Sequence, residues 1–224
     1  MPRQPSFGIL TVTLLTVLGT GPAAAAELAG MLEMVENGRP IADAASAIVW
    51  FEPAAGAPAP NPKRVIVNTK ERRFTPRVTT VPVGSEVVFP NGDPIIHNVF
   101  SVSRGNRFDL GRYKTGPGKS TTFQTPGLVR VYCNVHESMV AYVLVLDTPY
   151  SGSPESDGRF RLDGLPSGKG TLHVWHERTG PWSRDVVLPL GEPLVVKLDA
   201  QPLPTNHLNK FGRPYVDTDH DAYH

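Results

Sequence analysis

This 224-residue chain has almost no cysteine: Cys133 is the only one. A disulfide framework within the chain is therefore excluded. Past the N-terminal segment it also lacks any apolar run approaching the roughly 18 residues that a membrane-spanning helix needs. Long stretches with 3.6-residue apolar periodicity are missing as well, so the body of the chain does not read as helical. A surplus of either charge is absent too, with 22 Lys and Arg against 21 Asp and Glu. Proline and glycine, by contrast, are plentiful at 23 and 21. They break the chain into segments too short for anything but strands and turns.

Residues 1–26 read as a secretory signal. Arg3 lies in the charged start, an apolar stretch runs from Phe7 to Leu18, and the small residues Ala24, Ala25 and Ala26 end it. The apolar stretch is too short to span a bilayer, so we expect cleavage near Ala26 and a mature chain, starting at Glu27, that is exported to the periplasm without a membrane span. Export leaves no role for nucleic acid. It also makes the lone thiol informative, because in an oxidising compartment an unpaired cysteine calls for a partner chain, burial or a metal.

Cys133 opens the run Cys133-Asn134-Val135-His136-Glu137-Ser138-Met139, and His97-Asn98-Val99 stands well upstream. One thiolate, two imidazoles and a thioether make the ligand set of a mononuclear copper site in which a His2Cys plane carries a weak axial Met. The soft sulfur donors hold Cu(I) and the imidazoles suit both oxidation states, so neither state is strongly disfavoured.

Short alternating runs surround these residues: Val65 to Val67, Val78 to Val83, Glu86 to Phe89, His97 to Val102, Ser120 to Gln124, Leu128 to Cys133 and Val140 to Leu146. They read as strands. Turn residues separate them at Gly84, Pro90-Asn91-Gly92, Gly105, Gly111, Gly116-Pro117-Gly118 and Pro126-Gly127, the spacing of a β-sandwich or barrel.

Residues from about Lys63 to Asp147 resemble a cupredoxin of the amicyanin or plastocyanin-like group, the periplasmic blue copper proteins of methylamine utilisation. The resemblance rests on Phe74-x-Pro76, Val83-Gly84-x-x-Val87-x-Phe89-x-Asn91-x-Asp93, His97-Asn98-Val99 and Gly127-x-Val129-x-Val131-Tyr132-Cys133-x-x-His136-x-x-Met139. It implies a Greek-key β-sandwich and one type 1 copper held by His97, Cys133, His136 and Met139, the last three on one loop. It also implies that Asn98 ties the two ligand loops together by hydrogen bonds in the second shell, and that an apolar patch with Val135, Val140, Ile95 and Ile96 surrounds the edge of His136. Glu137 departs from the pattern, which commonly has Pro after the second His, and leaves the rigidity of the loop open.

A second resemblance comes in two pieces. Gly30-x-x-x-x-Val35-x-x-Gly38-x-Pro40-Ile41 with Ala47 to Phe51, and later Ser156-Asp157-Gly158-Arg159-Phe160-x-Leu162-x-Gly164-Leu165-Pro166-x-Gly168 with Leu172 and Val174, are similar to a carboxypeptidase regulatory-like, transthyretin-type β-sandwich. The layout this implies is all-β, with the copper domain (63–148) inserted in a discontinuous host sandwich (27–62 and 149–200), followed by a polar tail (201–224). The linkers would be Pro53 to Pro62 and Thr148 to Pro154. The other layout puts residues 27–52 into the cupredoxin as extra strands, ahead of a separate C-terminal sandwich. The two differ in whether Ala47 to Phe51 lies beside the strand after Gly170.

Charge divides along the same lines. Residues 63–148 hold twelve Lys and Arg against six Asp and Glu, and the remainder of the mature chain is acidic. The basic face suits an acidic redox partner or the acidic part of its own chain. His173 and His176, three apart in a strand, point to opposite faces and are poorly placed to share a metal. The tail ending Asp217 to His224 lacks the Gly and closing Glu of a calcium loop. These features favour an electron carrier serving a dehydrogenase or oxidase and a c-type cytochrome. The alternative is a periplasmic copper-binding and delivery protein without redox cycling. An enzyme is disfavoured: no Ser/His/Asp or Cys/His catalytic arrangement is visible, and four ligands leave no open coordination position.

Overall fold

The computed structural model describes residues 25–203 and 206–215. Nearly all of the expected signal and the Asp/His-rich end from Asp217 lie outside these residues. Strand β1 begins at Ala26, so the expected cleavage point abuts the folded part directly.

In chain order, β1 (Ala26–Glu36), β2 (Arg39–Pro40) and β3 (Ile48–Pro53) come first, with a 3₁₀ turn at Ala44–Ser46. There follow β4 (Arg64–Ile66), β5 (Asn68–Lys70), β6 (Arg73–Thr75), β7 (Val78–Pro82), β8 (Glu86–Asn91), β9 (His97–Ser101), β10 (Phe108–Tyr113), β11 (Gly116–Thr122), β12 (Gly127–Cys133) and β13 (His136–Leu146). The chain closes with β14 (Ser151–Gly152), β15 (Arg159–Leu165), β16 (Gly168–His176), β17 (Gly180–Leu188) and β18 (Leu194–Asp199).

These strands form four sheets. Two belong to the middle of the chain, in the orders β10-β9-β12-β13-β7 and β11-β8-β5-β6, with β4 beside β8. The other two combine its ends: β15-β1-β18 with β2 on β1, and β14-β3-β16-β17. In the last sheet Val49 pairs with Val174 and Phe51 with Leu172. The segment Ala47 to Phe51 thus lies beside the strand after Gly170, and the middle sandwich is inserted in the outer one. Asn61, Lys63 and Thr148 line one surface cleft, so the chain enters and leaves the insert at neighbouring points. The Thr148 hydroxyl donates to the Phe51 carbonyl at 2.9 Å. The stretch Thr148 to Pro154, expected to be plain linker, contains β14, which covers the open edge of β3 through Ser151–Trp50 and Gly152–Val49 pairs.

Each sandwich has its own core, and a third lies between them. Leu28, Leu32, Phe51, Leu162, Leu172 and Val196 fill the host. Val67, Phe89, Val99, Phe123, Val131 and Val143 fill the insert. Between the two, Ile48, Trp50 and Trp175 of the host meet Tyr142, Leu144 and Leu146 of the insert. Successive residues of a strand face opposite sides, which explains the unbroken apolar runs in β3 and β13. Val49 and Phe51 enter the host core while Ile48 and Trp50 face the insert. Likewise Ala141, Val143 and Val145 enter the insert core while Tyr142, Leu144 and Leu146 face the host. Both strands are covered on both faces, so alternation disappears from their sequence. Arg77 clamps the rim of this contact, its Nη2 2.8 Å from a Glu177 carboxylate oxygen.

Several strands have no alternating signature. β5 and β6 are three residues each, and β10 is interrupted by a register shift between Asp109 and Arg112, where Gly111 takes φ 67°. Gly116-Pro117-Gly118, read as a turn, opens β11 instead. Gly118 has φ 76°, and a Cβ there would fall 1.8 Å from the Phe89 carbonyl oxygen, so only glycine lets the two backbones approach.

Candidate metal centre

Cys133 ends β12, His136 begins β13, and the two pair across a turn made of Asn134 and Val135 alone. The expected ligand loop is thus a tight hairpin, with Met139 already inside the strand. His97 begins β9, the neighbour of β12, where Val99 pairs with Cys133. Strand order therefore brings together residues 36 positions apart.

The Cys133 Sγ lies 3.6 Å from His97 Nδ1 and 3.5 Å from His136 Nδ1. The three donor atoms all fall within 4.8 Å of one another. For a metal with N and S bonds of about 2.0 and 2.3 Å at 120°, the N to S separation is about 3.7 Å. A thiol has one proton and can donate to only one ring, yet two Nδ1 atoms face this sulfur. Such a convergence suits a cation. Cys133 and His97 are fully buried, His136 is half-buried, and Met139 is buried in the same core cluster as Cys133.

The protonation of His97 is set from behind. Its Nε2 lies 2.8 Å from an Asp93 carboxylate oxygen, which assigns the ring proton to Nε2 and leaves the Nδ1 lone pair facing the sulfur. Burial lowers the His97 pKa, outweighing the pull of Asp93 and keeping the ring neutral as a ligand requires. Burial opposes the charge on Asp93, but the backbone N–H groups of Arg72 and Glu71, with His97, hold its pKa below the usual value. Those N–H groups donate at 3.0 and 2.6 Å. They belong to the β5–β6 turn, where Glu71 and Arg72 take φ 54° and 55°. The left-handed conformation costs a non-glycine residue about 1–2 kcal/mol, offset here by two charge-assisted hydrogen bonds. Asp93 is a site residue that the sequence shows only as part of the Asn91-x-Asp93 turn.

Burial also pushes the Cys133 thiol up, while the backbone N–H groups of Asn98, Val135 and His136 oppose it. Asn98 therefore reaches the sulfur through its main chain. Its side chain has another partner: Nδ2 donates to Asp109 on β10 at 2.6 Å. The apolar patch expected around His136 is reduced. Val135 is buried at 4% exposure and Val140 packs toward the inter-sandwich cluster, while Ile95 and Ile96 are half-buried.

The other described histidines lie outside the donor cluster. His173 stacks on Trp50 with ring centroids 4.8 Å apart, and His176 lies 3.5 Å from Asp43. His207 had no sequence signal, and neither did its segment Asn206–Tyr215, which lies against the ligand turn.

No protein-family model matches the chain, and no curated protein matches it. Among solved structures it is similar to a purple cupredoxin from Nitrosopumilus maritimus, with 26% identity over 38% of this chain and 100% of that one and a TM-score of 0.32. It is also similar to amicyanin from Paracoccus versutus, with 23% identity, 43% and 91% coverage and a TM-score of 0.34. A copper-containing nitrite reductase from Thermus scotoductus gives 25% identity, 50% and 28% coverage and a TM-score of 0.35. These overlaps take in half of the chain at most, and scores so low assign no function. They do not bear on the resemblance of the host sandwich to the carboxypeptidase regulatory family. The case for copper therefore rests on the donor set itself: a buried thiol between two imidazole nitrogens, one of them oriented by a carboxylate.

Proposed function

We propose that this chain is an exported protein with one type 1 copper that carries single electrons between a dehydrogenase or oxidase and a c-type cytochrome. The observation that carries the reading is the Cys133 sulfur with the Nδ1 atoms of His97 and His136 at 3.6 and 3.5 Å in a buried core. Copper held there would supply a one-electron couple. The chain's part is to keep the donors in one arrangement for both oxidation states. Asp93 fixes the His97 tautomer, backbone N–H groups support the thiolate, and the half-buried His136 provides an edge near solvent. Met139 would supply the thioether donor in this reading, and four donors would leave no position for a substrate.

Loading the full chain with copper, followed by an absorption spectrum and cyclic voltammetry, tests this. An intense thiolate-to-copper band with fast reversible cycling is expected, whereas tight Cu(I) binding without cycling would make the protein a delivery module. Met139→Leu should keep copper bound and raise the potential, because losing a donor destabilises Cu(II) more than Cu(I). An unchanged potential would give the axial position to another group.

A further inference from the structure

We propose that the C-terminal segment Asn206–Tyr215 is a clamp on the ligand turn, with Tyr215 and Lys210 as positioning residues for the Cys133 and His97 sides of the site. The clamp's role in electron transfer rests on the copper reading above, but its mechanical action does not.

The turn it holds is poorly suited to stand alone. Two-residue hairpin turns match the strand twist when their central residues take positive φ. The described non-glycine residues with positive φ are Asn37, Glu71 and Arg72, so Asn134 and Val135 do not form such a turn. A register shift between Tyr132 and Cys133 adds a further irregularity at the sulfur-bearing residue. Contacts from outside the hairpin would therefore steady it.

The C-terminal segment does so at three successive points. The Tyr215 hydroxyl donates to the Cys133 carbonyl at 2.8 Å. The Lys210 backbone N–H donates to the Asn134 side-chain oxygen at 2.8 Å, and that of His207 donates to the Glu137 carbonyl at 3.1 Å. The His207 ring sits against Tyr132, with centroids 4.3 Å apart, and meets the Tyr215 ring edge-on at 5.5 Å.

A second arm reaches the other ligand strand. Lys210 Nζ lies 2.7 Å from one oxygen of Asp109, whose other oxygen accepts from Asn98 Nδ2 at 2.6 Å. Asn98 follows His97 and turns its backbone N–H toward the Cys133 sulfur. Lys210 thus touches both halves of the site, through Asn134 on one side and Asp109 on the other. The clamp is also ordered by itself: the Asn209 side-chain oxygen accepts from the N–H groups of Phe211 and Arg213, and the Asn209 N–H donates to the Arg213 carbonyl. A prefolded clamp loses little further entropy when it docks.

The test compares the full chain with Tyr215→Phe, a chain ending at Leu203, and Arg213→Ala as a control on an exposed side chain. Hydrogen–deuterium exchange of the metal-free proteins should show the segment 133–139 opening about fivefold faster in Tyr215→Phe, the fold-change that one ordinary hydrogen bond supplies. The increase should be larger in the shortened chain and absent in Arg213→Ala. If the shortened chain fails to fold, Tyr215→Phe still decides. In copper-loaded protein Tyr215→Phe should shift or broaden the thiolate-to-copper band, because losing the hydrogen bond to the Cys133 carbonyl loosens the backbone that places the sulfur. Unchanged exchange in both Tyr215→Phe and the shortened chain would overturn the clamp. A full-length chain with no visible band would defeat the copper reading while leaving the exchange comparison valid.

Discussion

The two sandwiches use their interiors differently. Among the described residues ten polar or charged ones are buried, and nine of them, including Asn91, Asp93, His97 and Asn98, belong to residues 63–148. The host keeps an almost wholly apolar core, with His176 as its buried polar exception. Buried polar groups stabilise a fold only when partnered, and those of the insert are held by hydrogen bonds such as Asn91 to the Ile95 carbonyl and Asp93 to His97. The shared layer of Ile48, Trp50, Trp175, Tyr142, Leu144 and Leu146 joins the two sandwiches. The strand that carries His136 and Met139 of the candidate metal site, β13, is the same strand that docks on the host. Chemistry and support meet on opposite faces of one strand.

The largest effect should come from Cys133→Ser, which removes the thiolate on which any charge-transfer colour depends. Complete loss of the visible band is expected, with the circular dichroism of a β protein retained. If the variant unfolds instead, the donors are also structural and the division of labour fails.

Phe51→Ala strikes the host core, where Phe51 is fully buried, and should cost about 3–5 kcal/mol. Because β3 contributes to both the host core and the shared layer, thermal unfolding of the two sandwiches should shift together. Two separate transitions would show that the insert does not depend on its host.

Asp93→Asn leaves the shape of the insert nearly intact but weakens the orientation of His97, and copper affinity should fall about 10- to 100-fold in competition titrations. A pH dependence follows from the same burial. His97, His176 and His207 are all held below the ordinary value of 6.5. Between their folded values and that value the unfolded chain binds protons that the folded chain does not, so the metal-free protein should lose stability as pH falls below about 6.5. Asp93, with its pKa lowered in the fold, adds stability above its unfolded value that is lost as pH falls through its folded one. Denaturant midpoints that stay constant from pH 8 to about pH 5 would contradict this.

The smallest effect should belong to Arg77→Ala. Its partner Glu177 is buried while Arg77 is partly exposed, so losing the pair should cost about 1–2 kcal/mol. A shift in thermal stability without a change in the visible band would sharpen the comparison by separating docking from chemistry.

Much of the site could be read directly from residue types. Cys133, His136 and Met139 lie within seven consecutive residues, and the soft-donor chemistry of that run pointed to His97 as their partner. The sheet order, with β9 beside β12, is what brings His97 to them. Asp93 was visible only as a turn residue because its role depends on the β5–β6 turn that presents two N–H groups to it. Strand β10 was missed because a bulge and exposed charges erase its alternation, and with it the Asp109 partner of the Asn98 side chain.

By itself, then, the sequence determined the all-β character and offered the candidate donor set and two possible layouts, since these depend on local periodicity, residue chemistry and turn signals. Tertiary structure alone decided which outer faces of β3 and β13 bury each other, which carboxylate orients His97, and that residues 206–215 return to the ligand turn. Those outcomes depend on contacts between segments tens of residues apart. Neither alternation nor motif spacing records the partner: the apolar runs of β3 and β13 indicate that both faces are covered, but not by what.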